Sequence, residues 1–134
     1  MAWSDTAKSS LVMDIDSGRV LYEHNADEQR LIASITKIMT AVIAIENGDL
    51  DDIVTAGDEV LKMYGTSIYI QKGEQMSLED LLYGLMLRSG NDAAVVIAKH
   101  ISGSEEEFVS LMNQKAKEIG MKNTIFHNAH GLDE

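Results

Sequence analysis

The sequence predicts an α+β chain, an N-terminal β-hairpin followed by a mainly helical body. Three observations carry this. Residues 10–15 alternate, with Leu11, Met13 and Ile15 on one face. Val20-Leu21-Tyr22 resumes the extended pattern beyond the turn residues Asp16-Ser17-Gly18-Arg19. Two such runs around a glycine-bearing turn read as a hairpin. Two later runs, 38–45 and 93–98, are almost wholly apolar, as expected of helices buried on every side. Serine–acid pairs at Ser77/Asp80 and Ser104/Glu107 have the spacing of helix caps.

Taken in order, residues 1–8 are polar and the hairpin covers about 10–23. A polar connection at 25–30 leads to a helix that opens at Ser34 and stops at Asn47-Gly48. Acidic residues follow, with a short strand at Ile53-Val54-Thr55 and a helical turn from Asp58. Tyr64-Gly65-Thr66-Ser67 reads as loop, Ile68-Tyr69-Ile70 as a short strand and Lys72-Gly73-Glu74 as a turn. The helix from Ser77 buries a stripe of Leu81, Leu82, Leu85 and Met86, then breaks at Arg88-Ser89-Gly90-Asn91. Asn91 has the chemistry to cap the next helix, 92–101, and Ser104 opens a last one to about Ile119, ended by Gly120. Thr124-Ile125-Phe126 is strand-like, and the rest is loop. The helical body covers about 34–120, and 1–134 is a single domain.

Composition excludes several classes of function. The net charge of −11, from 22 acidic and 11 basic residues, opposes binding to nucleic acid or anionic membranes through general electrostatics. There is no cysteine, hence no disulfide framework and no thiolate metal site. No run approaches the roughly 20 apolar residues of a membrane span. Met1-Ala2-Trp3-Ser4-Asp5 has neither the basic start nor the apolar centre of a signal peptide. No cofactor is expected.

The chemistry concentrates at two places. In Ala33-Ser34-Ile35-Thr36-Lys37, a serine and a lysine three apart share one helix face. The reading places them at the N-terminal mouth of a buried helix, where dipole and burial both lower a lysine pKa. A neutral amine beside a hydroxyl is a general base beside a nucleophile. A capping serine with a lysine reaching solvent is the plainer alternative. In Ser89-Gly90-Asn91, a hydroxyl and a carboxamide sit in a tight break between two apolar helices. Polar groups buried there need partners, and Ser34 and Lys37 are the candidates; an ordinary helix–helix turn is the alternative. His127 and His130 form a His-x-x-His pair with no third ligand at a telling spacing, so no metal site is assigned.

Ser-x-x-Lys followed by Ser-x-Asn is the ordered signature of penicillin-binding proteins and class A β-lactamases. The surrounding residues narrow it: Ala33-Ser34-Ile35-Thr36-Lys37-Ile38-Met39-Thr40, Gly65-Thr66-Ser67, Leu81-Leu82-Tyr83-Gly84-Leu85, Ser89-Gly90-Asn91-Asp92-Ala93-Ala94 and His130-Gly131-Leu132-Asp133. From about Ser10 to its last residue the chain resembles the serine-type D-alanyl-D-alanine carboxypeptidases, the low-molecular-mass penicillin-binding proteins. The resemblance implies a penicillin-binding/β-lactamase-like fold, here incomplete, with the C-terminal sheet strands absent. It implies a hydrolase of the cell envelope that shapes the cell wall. Such an enzyme removes the terminal D-alanine from peptidoglycan stem pentapeptides through an acyl-enzyme and binds β-lactams. On the matching positions Ser34 is the nucleophile, Lys37 its base, Ser89 a proton relay and Asn91 a substrate-binding residue or a support for Lys37. The Ser34 N–H would be one oxyanion donor.

The family's Lys-Thr-Gly motif does not occur, and Lys122-Asn123-Thr124 does not replace it. The family's usual proline before Ala33 is Ile32. The expectation is therefore an N-terminal portion of the catalytic domain, with impaired activity and with self-association through open strand edges. A β-lactamase-like hydrolase is the runner-up, although no carboxylate to activate a deacylating water is identifiable. A non-catalytic fragment binding peptidoglycan or a partner chain is the third reading.

Overall fold

The computed structural model describes residues 10–14, 19–24, 28–121 and 123–132. Strands β1 (Ser10–Asp14) and β2 (Arg19–His24) pair antiparallel, from Ser10 opposite His24 to Asp14 opposite Arg19. The register slips between Val12 and Met13, leaving Leu21 as the extra residue of a bulge. The expected turn at 16–18 and the connection at 25–27 lie outside the described residues.

Helix α1 runs Glu28–Asn47, so it begins six residues before Ser34 rather than at it. The residues between are good helix formers, and Ile32 at the place of the family's proline keeps the backbone N–H that a helix interior needs. The helix ends where expected: the Gly48 N–H caps the Ala44 carbonyl at 2.8 Å.

Strand β3 (Ile53–Thr55) pairs antiparallel with β4 (Gln75–Ser77), and a 3-10 turn occupies Asp58–Lys62. The pairing of β4 was not legible, because Gln-Met-Ser has no alternation. Helices α2 (Leu78–Arg88), α3 (Asn91–Ser102) and α4 (Glu105–Glu118) complete the body. Both expected caps form: Ser77 Oγ accepts the Asp80 N–H at 3.1 Å and Ser104 Oγ the Glu107 N–H at 3.2 Å.

Helix α3 is the axis of the core. It packs on α1, α2 and α4, and every residue from Asn91 to Ala98 is buried. Helix α1 is not enclosed in the same way. Ile35, Ile38 and Val42 are only partly covered and Ile45 is 59% exposed, so one stripe of its apolar surface stays open. On α2 the buried stripe is Leu78, Leu81, Leu82 and Leu85, while Met86 faces outward.

Two expected strands are absent. Residues 68–70 are irregular and are held by a side chain of α3. Residues 124–126 are also irregular, and there the Asn113 carboxamide stands in for a neighbouring strand. Its oxygen accepts the Phe126 N–H at 2.7 Å and its nitrogen donates to the Phe126 carbonyl at 3.0 Å. No helix among the described residues is long and apolar enough to cross a membrane.

Candidate active site

Ser34 and Lys37 lie on one face of α1, as their spacing requires. Ser34 is exposed and Lys37 half-buried. Lys37 Nζ donates to the backbone carbonyl of Ser89 at 2.9 Å. Burial holds its pKa below the usual 10.5. Desolvation disfavours the charged form of an amine, and here it acts without help from the helix dipole, which fades within the first turn. The early start of α1 puts Ser34 in the second turn of the helix rather than at its N-terminus, where the oxyanion donor was expected.

Ser89 ends α2 in the left-handed conformation, φ 52° and ψ 37°, which strains a non-glycine residue by about 1 kcal/mol. This kink brings its carbonyl to Lys37. Ser89 is exposed, and among the described residues no hydrogen bond joins its Oγ to Ser34 or Lys37. Ser89 thus meets Lys37 through the backbone.

Asn91 is not the helix cap; Gly90 holds that position. The Asn91 side chain turns inward, where Nδ2 donates to the Tyr64 carbonyl at 3.1 Å and its N–H donates to the Thr66 carbonyl at 2.9 Å. Oδ1 of Asn91 is buried without a partner among the described residues. Gly65 lies against this carboxamide with φ +81°, and a Cβ there would stand 2.8 Å from Asn91 Nδ2. Both the backbone angle and the close approach require glycine.

The segment 128–131 supports the start of the site. The buried Thr40 hydroxyl lies 2.8 Å from the Ala129 carbonyl and 3.1 Å from that of Thr36. Asn128 Oδ1 accepts the N–H groups of His130 and Gly131 at 3.2 and 2.7 Å. His130 Nδ1 accepts the Leu132 N–H at 3.1 Å, which places any proton of the neutral ring on Nε2. Gly131, at φ +86°, presses on Ala33, the residue before Ser34: a Cβ on Gly131 would stand 2.6 Å from Ala33 Cα. A groove of about 650 Å³ opens beside this contact, between Ile32, Ile35 and Thr36 of α1 and residues such as Phe126, Asn128 and Leu132. None of Ser34, Lys37, Ser89 and Asn91 lines it, so the groove, of mixed polar and apolar lining, lies beside the candidate site.

Thr40, Gly65, Asp92 and Gly131 escaped the sequence reading as site-building residues. A hydroxyl interrupting an apolar helix and a carboxylate opening another were the available signals, since buried polar groups need partners.

Lys37 of α1 thus meets the turn between α2 and α3 at the Ser89 carbonyl, with Ser34 on the same face of its helix. Residues 2–134 match the profile of the D-alanyl-D-alanine carboxypeptidase family, peptidase S11; the chain belongs to that family. It is 45% identical over 133 residues to the D-alanyl-D-alanine carboxypeptidase DacF of Bacillus subtilis, covering 96% of this chain and 34% of that protein. The crystal structure of the carboxypeptidase DacD from Francisella tularensis superposes with a TM-score of 0.74 at 36% identity, covering 98% of this chain and 33% of that one. Penicillin binding protein 5 from Haemophilus influenzae gives 0.72 at 34% identity, covering 100% and 41%. The fold is therefore that of the penicillin-binding proteins, and the chain spans about a third of the length of the curated relatives it matches.

Proposed function

We propose that the chain carries the nucleophile side of a serine D,D-carboxypeptidase site, with Ser34 as the acylated residue and Lys37 as its base. The observation that supports this best is the Lys37 amine: it lies on the Ser34 face of α1, is held by the Ser89 carbonyl, and is kept below its ordinary pKa by burial. A neutral amine takes the Ser34 proton as Oγ attacks the carbonyl of the penultimate D-alanine of a peptidoglycan stem. The C–N bond breaks, the terminal D-alanine leaves with a proton, and water hydrolyses the ester. In this reading Ser89 is the relay to the leaving amine and Asn91 the amide that holds the acyl chain. β-Lactams would acylate the same serine, and the working compartment is the cell envelope. Tested alone, these residues should turn over slowly, because the family's Lys-Thr-Gly motif is not among them.

Incubation with a stem peptide ending in D-Ala-D-Ala, alongside a chromogenic β-lactam, discriminates the readings. D-alanine release, or one stoichiometric acylation, supports the carboxypeptidase. Fast repeated β-lactam hydrolysis points to a lactamase, and peptide binding with neither reaction points to a non-catalytic fragment.

The base assignment has a pH signature. Only the neutral amine works, so acylation speeds up as pH rises and levels off once Lys37 is deprotonated, with a midpoint below 10.5. The same shift affects folding. The unfolded chain binds the extra proton between the lowered pKa and 10.5, so stability rises with pH across that window, is fully gained above 10.5, and is flat below the lowered value, where both states are protonated. A flat acylation profile across that window would remove Lys37 as the base.

The open stripe of Ile35, Ile38, Val42 and Ile45, with the edges of the two-stranded β1–β2 sheet, supports association between copies. Light scattering should give a mass above one chain at micromolar concentration and a lower mass on dilution. A monomer at all concentrations would contradict it.

A further inference from the structure

We infer that Asp92 is the positioning residue of this site: its carboxylate clamps loop 64–70 onto the turn 89–92, and through that turn it fixes Asn91 and the Ser89 carbonyl on which Lys37 rests. For its catalytic consequence this rests on the carboxypeptidase reading above.

Asp92 is 2% exposed, yet all its acceptor capacity is used. Oδ1 accepts the N–H groups of Ile68 at 3.1 Å and Ala93 at 2.9 Å. Oδ2 accepts the Ser67 hydroxyl at 2.7 Å and the Ile70 N–H at 2.9 Å. Ser67 Oγ in turn accepts the Tyr69 N–H at 2.8 Å. Three successive N–H groups, 68 to 70, thus converge on one carboxylate–hydroxyl pair, the arrangement in which backbone amides form an anion nest. The geometry forces Tyr69 to φ +62° and leaves its side chain 81% exposed. Burial alone would raise the carboxyl; the bonds from Ile70, Ser67, Ile68 and Ala93 outweigh it and hold the pKa below the usual 3.8. The group is a charged clamp at neutral pH.

The clamp reaches the reacting residues through the chain. Asp92 follows Asn91 directly. The loop it holds supplies both carbonyls that bind Asn91, Tyr64 to the carboxamide and Thr66 to the N–H. Ile68, placed by the clamp, packs on Gly84 with its Cδ1 2.6 Å from where a Cβ would stand, and the Gly84 carbonyl accepts the Gly90 N–H at 3.1 Å. Each residue of the turn is therefore tied to loop 64–70 or to α2, and the turn holds the Lys37 amine through the Ser89 carbonyl. An asparagine at 92 could not replace the carboxylate. Its NH₂ would face the Ile70 N–H or the Ile68 N–H, and neither backbone donor can rotate away, so one would be left unpaired in the interior.

The test compares Asp92→Asn and Ser67→Ala with the unsubstituted chain, using benzylpenicillin as the probe. The first-order acylation step should fall about 10- to 100-fold in Asp92→Asn, as expected when a reacting group is displaced by about 1 Å. It should fall about 3- to 10-fold in Ser67→Ala, which keeps the charge and loses one of the four bonds. The preceding non-covalent binding should change little. Two readouts need no turnover. Amide exchange at Ile68, Tyr69 and Ile70 should speed up, and the Lys37 titration, followed by NMR of its Cε, should move toward 10.5 as the amine is released to solvent. Loss of protection at 68–70 with unchanged acylation and an unchanged Lys37 titration would overturn the proposal, because Asp92 would then only hold a loop. If Asp92→Asn does not fold, Ser67→Ala decides by the same criteria. If the unsubstituted chain is not acylated, the carboxypeptidase reading fails, while the Lys37 titration still tests the clamp.

Discussion

Lys37→Arg is expected to end acyl transfer to Ser34 while leaving the fold intact. A guanidinium can still donate to the Ser89 carbonyl that Lys37 Nζ now meets at 2.9 Å, so the contact that orders the turn has a replacement. The pKa has none. Burial lowers the lysine amine toward a range where a neutral fraction exists, whereas arginine stays protonated. The substitution therefore separates positive charge and hydrogen bonding from base catalysis. Removing a general base typically costs 10²- to 10⁴-fold, and acylation by benzylpenicillin, followed by mass spectrometry over time, should slow by about 10³-fold. Ser34→Ala should remove the adduct altogether. An arginine variant acylated at the original rate would mean that Lys37 is not the base.

Gly131→Ala should be strongly destabilising. At φ +86° an L-residue is disfavoured, by about 1–2 kcal/mol. The added Cβ would also stand 2.6 Å from Ala33 Cα and 3.2 Å from both Ala33 Cβ and Ala33 carbonyl oxygen. Those atoms belong to the backbone of α1 or are fixed to it, so no flexible side chain can yield. Overpacking of this kind adds about 1–3 kcal/mol. The expected total is roughly 3 kcal/mol, seen as a lower urea midpoint with an unchanged slope. Gly103→Ala is the control. It has φ +83° but nothing within 4 Å of the new methyl, so only the conformational cost of about 1 kcal/mol remains. Because Ala33 precedes Ser34, Gly131→Ala should also slow acylation more than its loss of stability explains. Equal stabilities of the two alanine variants would show that the 128–131 segment does not press on α1.

The parts of this molecule legible in its sequence are those governed by neighbours in the chain. The caps at Ser77 and Ser104 form because a serine three residues before an amide reaches it in any context. The stretch 93–98 of α3 is buried all round because its composition leaves no polar face. Several of the misreadings involve distant partners. Ile68-Tyr69-Ile70 has strand-like residues, but a carboxylate more than twenty positions away claims its amides. Asn91 has a capping residue's chemistry, but its carboxamide is drawn inward by the Tyr64 carbonyl. Helix α1 has the composition of an enclosed helix, yet its stripe from Ile35 to Ile45 lacks a cover among the described residues. The Ser34–Lys37 pair was visible because three residues along a helix is a local distance. Its link to Ser89 was visible only as two polar groups that needed partners, and the contact proved to run through a carbonyl.

Acylation of Ser34 itself is the most direct measurement. The folded chain is incubated with benzylpenicillin, digested, and its peptides are weighed. The expected result is one intact drug mass on the peptide containing Ser34, present in the unsubstituted chain and missing from Ser34→Ala. A folded chain that gains no mass, or one that carries the drug on another residue while Ser34 stays free, would contradict the assignment of Ser34 as the nucleophile.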